Sequence, residues 1–84
     1  MIQILYFAWV REAAGRDEEQ VSPPVDITTV QALLDWLADR DAIFAEAIAD
    51  RDRIRVAVDQ KLARPDTPLA GAREVAVFPP VTGG

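Results

Sequence analysis

The chain has 84 residues, of which half are hydrophobic and 27% are charged, and this balance is typical of one small globular domain. It contains no cysteine and no histidine, so it has no disulfide framework and no thiol nucleophile, and it lacks the commonest general base and metal ligand. A net charge of −5 argues against nucleic-acid binding, which needs a basic surface. The apolar run that ends at Val10 is too short to span a bilayer, and no secretory signal pattern opens the chain. We therefore expect a cytoplasmic protein that contacts no membrane.

The opening segment "MIQILYFAWV" is rich in aromatic and β-branched residues and predicts a first β-strand over residues 1–10. Apolar side chains alternate onto both faces of this strand, with Tyr6 on one face and Phe7 on the other. The second face is then either covered as well, or it is a binding surface.

The next segment, "REAAGRDEE", is charged and predicts a connection that can include one helical turn. The acidic side chains of Asp17, Glu18 and Glu19 are expected to lie in a solvated loop. A short strand is predicted near Glu19–Val21, and the two prolines that follow, which cannot donate to a β-ladder, end it.

Two helices are predicted in the middle of the chain. The first is "ITTVQALLDWLADRD". Thr28 is followed three residues later by Gln31, and this spacing fits a capping box at the start of the helix. Its apolar residues at helical spacing are Val30, Leu33, Leu34 and Leu37. The second, shorter helix runs from Asp41 to Asp50, with the apolar pattern Ile43, Phe44, Ala47 and Ile48.

The remaining segments predict strands. "RIRVAVDQKLA" indicates a hairpin with its turn at Asp59-Gln60, and "REVAVF" is a last strand that Pro79 and Pro80 end. This order predicts an α+β domain, with a helix layer on one side of a small mixed sheet. Because so short a chain leaves nothing to cover the far face, Phe7 and Phe78 should form an apolar patch there, and such patches usually mark partner sites.

The chain ends "VFPPVTGG", and this ending has a physical use. The two prolines make a stiff extended spacer, and Val81 offers one apolar foothold. Thr82, Gly83 and Gly84 are small enough to enter a narrow channel, and the terminal carboxylate is uncrowded. Once ATP has activated it to an acyl-adenylate, a nucleophile can attack it. The alternative is that a Gly-Gly ending has no role, since residues without a structural function collect at chain ends.

The whole chain resembles the sulfur-carrying small subunits of molybdopterin synthase, a ubiquitin-like β-grasp family. The resemblance is strongest in "EVAVFPPVTGG", and "ILYFAWVREAAG", "VDQKL" and "PDTPL" support it. It implies a β-grasp domain over residues 1–79, with one main helix and a short second helix, followed by a flexible tail over residues 80–84.

The resemblance also implies a function for the tail. An activating enzyme related to ubiquitin-activating enzymes uses ATP to adenylate Gly84, and a sulfur donor protein supplies the sulfur of a thiocarboxylate. The tail residues Pro80, Val81, Thr82 and Gly83 then enter the large synthase subunit, in a heterotetramer, where the sulfur passes to a pterin precursor. The chain itself is expected to bind no cofactor or metal and to hold no catalytic residue.

Four further residues are implied in partner contacts. Phe7, Leu62 and Phe78 match the apolar contact with the large subunit, and Arg11 lies near the exit of the tail if the first and last strands are parallel. Leu62 as a core residue and Arg11 as a solvated arginine are the alternatives. Two departures, Asp59 for the usual asparagine and "AGAR" for an acidic turn before the last strand, affect only local turn geometry.

Two other functions remain open at this point. A sulfur carrier for thiamine synthesis or tRNA thiolation would share both the fold and the tail chemistry, and would differ only in the acceptor. A plain protein-interaction domain would use the sheet and not the tail. An independent enzyme is disfavoured because the sequence has no pairing of a nucleophile with a base.

Overall fold

A five-stranded mixed sheet forms the frame of the protein, whose computed structural model describes residues 1–80. The elements in chain order are β1 (Ile2–Tyr6), α1 (Ala8–Ala14), β2 (Glu18–Val21), α2 (Val30–Asp39), α3 (Ala42–Ala47), a 3-10 turn (Arg51–Arg53), β3 (Arg55–Val58), β4 (Lys61–Leu62) and β5 (Glu74–Phe78). The strand order is β2-β1-β5-β3-β4, in which β1 pairs with β5 in parallel and the other three pairs within residues 1–80 are antiparallel.

The first strand ends earlier than predicted, because residues 8–10 belong to a helix. Phe7 is still extended, but Ala8 takes a left-handed backbone with φ 53°, which turns the chain out of the sheet. From there Val10 is buried, and Trp9 and Ala13 pack half-buried against the core at helical spacing. Residues 11–14, predicted as part of a connection that can include one helical turn, are therefore the second half of α1, and the strand prediction is wrong for residues 8–10.

The two central helices are confirmed, with one correction at the start of α2. Its N-cap is Thr29, whose hydroxyl accepts a hydrogen bond from the Ala32 N–H at 3.2 Å, and not Thr28. Helix α3 begins after Asp41, whose carboxylate caps two main-chain N–H groups. Ile43, part of the apolar pattern, is 71% exposed, since this short helix turns Phe44 toward the core instead.

The hydrophobic core lies between the helices and one face of the sheet. Its fully buried side chains include Ile4, Val75 and Val77 from the sheet and Leu33 and Leu37 from α2. The predicted α+β class, with a main helix and a shorter one on a small mixed sheet, is confirmed. Within residues 1–80, no helix is both long and apolar enough to cross a membrane.

The predicted hairpin is also confirmed. Asp59 and Gln60 connect β3 to β4 with φ values of 49° and 70°, the pair of positive values that a two-residue type I′ turn requires. The Asp59 carboxylate accepts hydrogen bonds from the N–H groups of Arg73 and Glu74, both at 3.0 Å. This turn therefore also holds the start of β5.

Candidate functional site

The side of the sheet that faces away from the helices carries a row of small and apolar residues, and we call this side the outer face. The strand register places Leu5 beside Ala76, Ala76 beside Ala57, and Ala57 beside Leu62. Side chains alternate between the two faces of each strand, so the core residues next to these four point to the opposite side. Leu62 is 75% exposed, which excludes the alternative that it belongs to the core.

Phe7 and Phe78 extend this row toward the end of β5. The Phe7 N–H donates to the Val77 carbonyl oxygen at 3.2 Å, so the β1–β5 ladder continues one residue past Tyr6. Because Tyr6 and Val77 are both buried in the core, Phe7 and Phe78 point to the outer face. Phe7 is 48% exposed and Phe78 is half-buried. The apolar patch of the outer face consists of Leu5, Phe7, Ala57, Leu62, Ala76 and Phe78.

Strand β5 ends at Phe78, at one end of the sheet, and Pro79 and Pro80 follow it. Strands β1 and β5 are parallel, as the prediction for Arg11 required. The C-terminal ends of both strands therefore lie at this end of the sheet. Arg11, one turn into α1, is exposed, and its Nε lies 3.8 Å from an oxygen of the exposed Asp17. Pro79 and Pro80 are half-buried. The predicted tail residues Val81, Thr82, Gly83 and Gly84 lie outside the described residues.

At the same end of the sheet, Arg53 and Trp9 form a contact that the sequence did not predict. The guanidinium of Arg53, in the 3-10 turn before β3, lies 5.7 Å from the ring centre of Trp9 in α1. Strands β3 and β1 flank β5 on its two sides, so this cation–π contact links the segments on either side of β5. No single-sequence pattern pairs residues that are so far apart.

At the inner side of the sheet, Glu19 is the centre of a polar cluster. The Tyr6 hydroxyl donates to one carboxylate oxygen at 2.6 Å, and Arg40 donates to both oxygens, at 2.8 and 3.3 Å. Arg16 adds a contact of 3.4 Å. A cavity of about 190 Å³ lies beside these residues. The prediction that Glu19 is part of a solvated loop is therefore wrong, because two arginines and a tyrosine enclose its carboxylate.

The cluster lowers the pKa of Glu19 and raises the pKa values of Tyr6 and Arg40. Burial alone would raise the pKa of Glu19, but hydrogen bonds from Arg40 and Tyr6, with the charges of Arg40 and Arg16, lower it. Burial raises the pKa of the Tyr6 hydroxyl, and the hydrogen bond to the Glu19 carboxylate and its negative charge raise it further. Both effects favour a permanently ionised Glu19 and a neutral Tyr6 at neutral pH, which is typical of a structural cluster rather than an acid–base pair.

Metal binding has no support in the part of the chain that the structure describes. Within residues 1–80, no three acidic side chains come together in a way that could hold a metal ion.

The model of the ThiS family matches residues 4–84. The chain belongs to the ThiS family. Two bacterial relatives align with it over all 84 residues and over their own full lengths, and both are named molybdopterin synthase sulfur carrier subunit: one from Escherichia coli (strain K12) at 44% identity, and one from Haemophilus influenzae at 34%. The resemblance that the sequence motifs indicated is thereby confirmed.

Several solved protein structures have the same fold as this member of the ThiS family. The crystal structure of SAMP1 from Haloferax volcanii superposes with a TM-score of 0.78 at 28% identity, covering 99% of this chain and 98% of that one. The solution structure of small archaeal modifier protein 1 from Methanosarcina acetivorans has a TM-score of 0.71 at 26% identity, covering 99% and 95%. The predicted ubiquitin-like β-grasp architecture is confirmed.

Proposed function

We propose that this chain is the sulfur-carrier subunit of a molybdopterin synthase. The observation that carries the proposal is the end-to-end alignment, at 44% identity, with a relative of that name. The outer face supports it, because an apolar patch on a small sheet is a natural surface for a permanent partner. The chain would be a sulfur donor to a heteromeric sulfurtransferase and not an enzyme on its own.

The chemistry would take place at the carboxylate of Gly84. An oxygen of this carboxylate attacks the α-phosphorus of ATP on an activating enzyme, and pyrophosphate leaves. Sulfide from a sulfur donor protein then attacks the acyl carbon, and AMP leaves, so that a thiocarboxylate remains. Transfer of the sulfur to a pterin precursor, with water replacing it on the acyl carbon, regenerates the carboxylate. The chain needs no bound cofactor for these steps, since the activating enzyme holds the ATP.

The domain would deliver the tail into the active site of a large subunit. Phe7, Leu62 and Phe78 lie on the outer face, where a partner could cover them and bury apolar surface at about 25 cal/mol per Å². Arg11 is exposed at the edge from which the tail departs, so it could contact an acidic group of the partner. Residues Pro80 to Gly83 would then thread the partner's channel.

The remaining parts of the proposal concern the assembly and its place in the cell. We propose a heterotetramer of two carriers and two large subunits, served by an activating enzyme that resembles ubiquitin-activating enzymes. A cytoplasmic location is part of the same proposal.

Genetic complementation tests this function. A strain that lacks the small synthase subunit should regain molybdoenzyme activity when it expresses the full chain. A variant without Gly84 should fail to restore the activity while it accumulates to the same level. Rescue of a thiamine-requiring strain or of tRNA thiolation, without rescue of molybdoenzyme activity, would assign the chain to another sulfur-carrier pathway. Rescue by the variant without Gly84 would contradict the tail chemistry.

A further inference from the structure

A second concave surface lies on the helix side of the molecule, away from the outer face. It is a groove of about 380 Å³ between α2, the 3-10 turn with the start of β3, and the loop that follows β4. Apolar side chains form its floor: Val30, Leu34, Ile54, Val56 and Ala63. The volume lies within the range of ordinary ligand sites, and it is enough for one or two side chains of a bound peptide.

Three arginines line this groove, although the chain as a whole has a net charge of −5. Arg51 is engaged, since it binds the Asp35 carboxylate at 2.9 Å and the Ile48 carbonyl oxygen at 2.8 Å. Arg55 donates to two main-chain carbonyl oxygens, at 2.8 and 2.9 Å, which hold its guanidinium in place without neutralising it. Among the ion pairs found within residues 1–80, none involves Arg55 or Arg64.

The groove is therefore a locally basic site with an apolar floor. Its lining contains the Asp52 carboxylate and three guanidinium groups, and one of the three, Arg51, is already paired with Asp35. The positive charge of the site therefore comes from Arg55 and Arg64. Guanidinium groups bind carboxylates with paired hydrogen bonds, and an apolar floor binds aliphatic side chains. We propose that this groove docks an acidic peptide segment of a partner protein, with one aliphatic side chain on the floor and flanking Asp or Glu residues against Arg55 and Arg64.

The position of the groove allows it to act together with the tail. Arg55 lies directly opposite Phe78 in the β3–β5 ladder and leaves the strand on the same face as Phe78. Its guanidinium donates to the carbonyl oxygens of Asp52 and Ile54, two residues that line the end of the groove, so this end is a single strand away from Phe78. Leu34 and Val30, on its floor, belong to the helix layer on the opposite side of the sheet from Leu62. A partner could therefore occupy the groove while another covers Leu62, whereas the Phe78 end of the outer face adjoins Arg55. The inference goes beyond the sulfur-carrier proposal and does not depend on it.

Titration of the ¹⁵N-labelled full chain with a short synthetic peptide tests the inference. The probe carries a central Ile-Leu flanked by Asp and Glu, and the comparison peptides replace the acidic residues by Asn and Gln, or by Lys. We expect the acidic peptide to shift the amide signals of Gln31, Leu34, Val56 and Arg64, and to bind about tenfold more tightly than the neutral peptide. No shift, shifts confined to the outer face, or equal binding of the three peptides would overturn the inference.

Two double variants, each of which removes two positive charges, distinguish binding in the groove from long-range electrostatic attraction. Arg55→Gln with Arg64→Gln should weaken binding of the acidic peptide about tenfold or more, with the thermal midpoint kept as evidence of folding. Lys61→Gln with Arg73→Gln removes the same charge from exposed positions that do not line the groove, and should bind the peptide as the unaltered chain does. Equal losses in both variants would show long-range attraction only and overturn the groove assignment.

Discussion

The hydrogen bonds and ion pairs of Glu19 join segments that are far apart in the sequence. Its partners Tyr6, Arg16 and Arg40 come from β1, the connection after α1, and the end of α2. In the sequence, Glu19 stands in a run of acidic residues, a pattern that indicates solvated charge. The cluster exists because β2 pairs with β1 and brings the carboxylate over the Tyr6 hydroxyl, and this pairing is not visible in the local pattern.

The lowered pKa of Glu19 predicts a pH dependence of stability. Between this lowered value and the ordinary value of 4.5, the unfolded chain binds a proton at this position that the folded chain does not, so the free energy of unfolding rises with pH. The contribution of Glu19 is fully present above pH 4.5 and is lost as the pH falls through the folded-state pKa. Glu19→Gln should therefore flatten the decline in stability below about pH 4.5, measured by urea unfolding at a series of pH values.

Glu18→Gln is the matched control for this experiment. It removes the adjacent carboxylate, which is exposed and points to the other face of β2. The slope of unfolding free energy against pH should change less in this variant than in Glu19→Gln. If Glu19→Gln keeps the full slope of the unaltered chain below pH 4.5, the cluster does not stabilise the fold in the way described.

At the level of elements, the sequence predicts structure well where one periodicity dominates. The segments of α2, β5 and the β3–β4 hairpin each have a single clear pattern, and all three are confirmed. Residues 7–10 have no single pattern, because their apolar side chains fit both the two-residue period of a strand and one turn of a helix. The outcome depends on the turn at Ala8 and on burial of Val10, which are tertiary effects.

The start of α2 offers a test that distinguishes two neighbouring threonines. Thr29 caps the helix through its side chain, whereas Thr28 contributes its main-chain carbonyl, which accepts from the Leu69 N–H at 2.9 Å. Thr29→Ala should lower the free energy of unfolding by about 1 kcal/mol, a typical loss for an N-cap. Thr28→Ala, at an exposed side chain, should change it by less than about 0.5 kcal/mol. Chemical denaturation of both variants measures this, and a larger loss for Thr28→Ala would contradict the assignment of the cap.

Considered as a whole, the molecule has an outer face and a helix side with different chemistry. The apolar residues Phe7 and Phe78 of the outer face could be predicted, because a sheet in so short a chain has too few residues to cover both of its sides. Leu62 could not be predicted in this way, and only the family resemblance implied it. The arginine groove could not, since Arg51, Arg55 and Arg64 are individually ordinary surface residues, and only the fold brings the 3-10 turn, β3 and the loop after β4 together around one apolar floor.

The outer face also gives a prediction about assembly. Leu62→Asp should weaken binding of the large synthase subunit about tenfold or more, because it places a charge in an apolar interface. The same change should alter the free energy of unfolding by less than about 0.5 kcal/mol, since the side chain is 75% exposed. Calorimetric titration with the large subunit measures the affinity.

Ile43→Asp is a closely matched control for this variant. Ile43 is 71% exposed, almost as much as Leu62, but it lies on α3 in the helix layer. This variant should bind the large subunit as the unaltered chain does. Equal weakening by both substitutions, or by neither, would show that the outer face is not the docking surface.

The central claim, that the terminal carbonyl of Gly84 carries sulfur, is tested most directly by intact mass measurement of the protein purified from cells that make molybdoenzymes. We expect a population that is heavier by the difference between one sulfur and one oxygen atom, with the added mass confined to the C-terminal peptide that ends in Gly84. The added mass should disappear when the activating enzyme is deleted. A chain that continues past Gly84, or that never carries this added mass while the synthase pathway is active, would contradict the account.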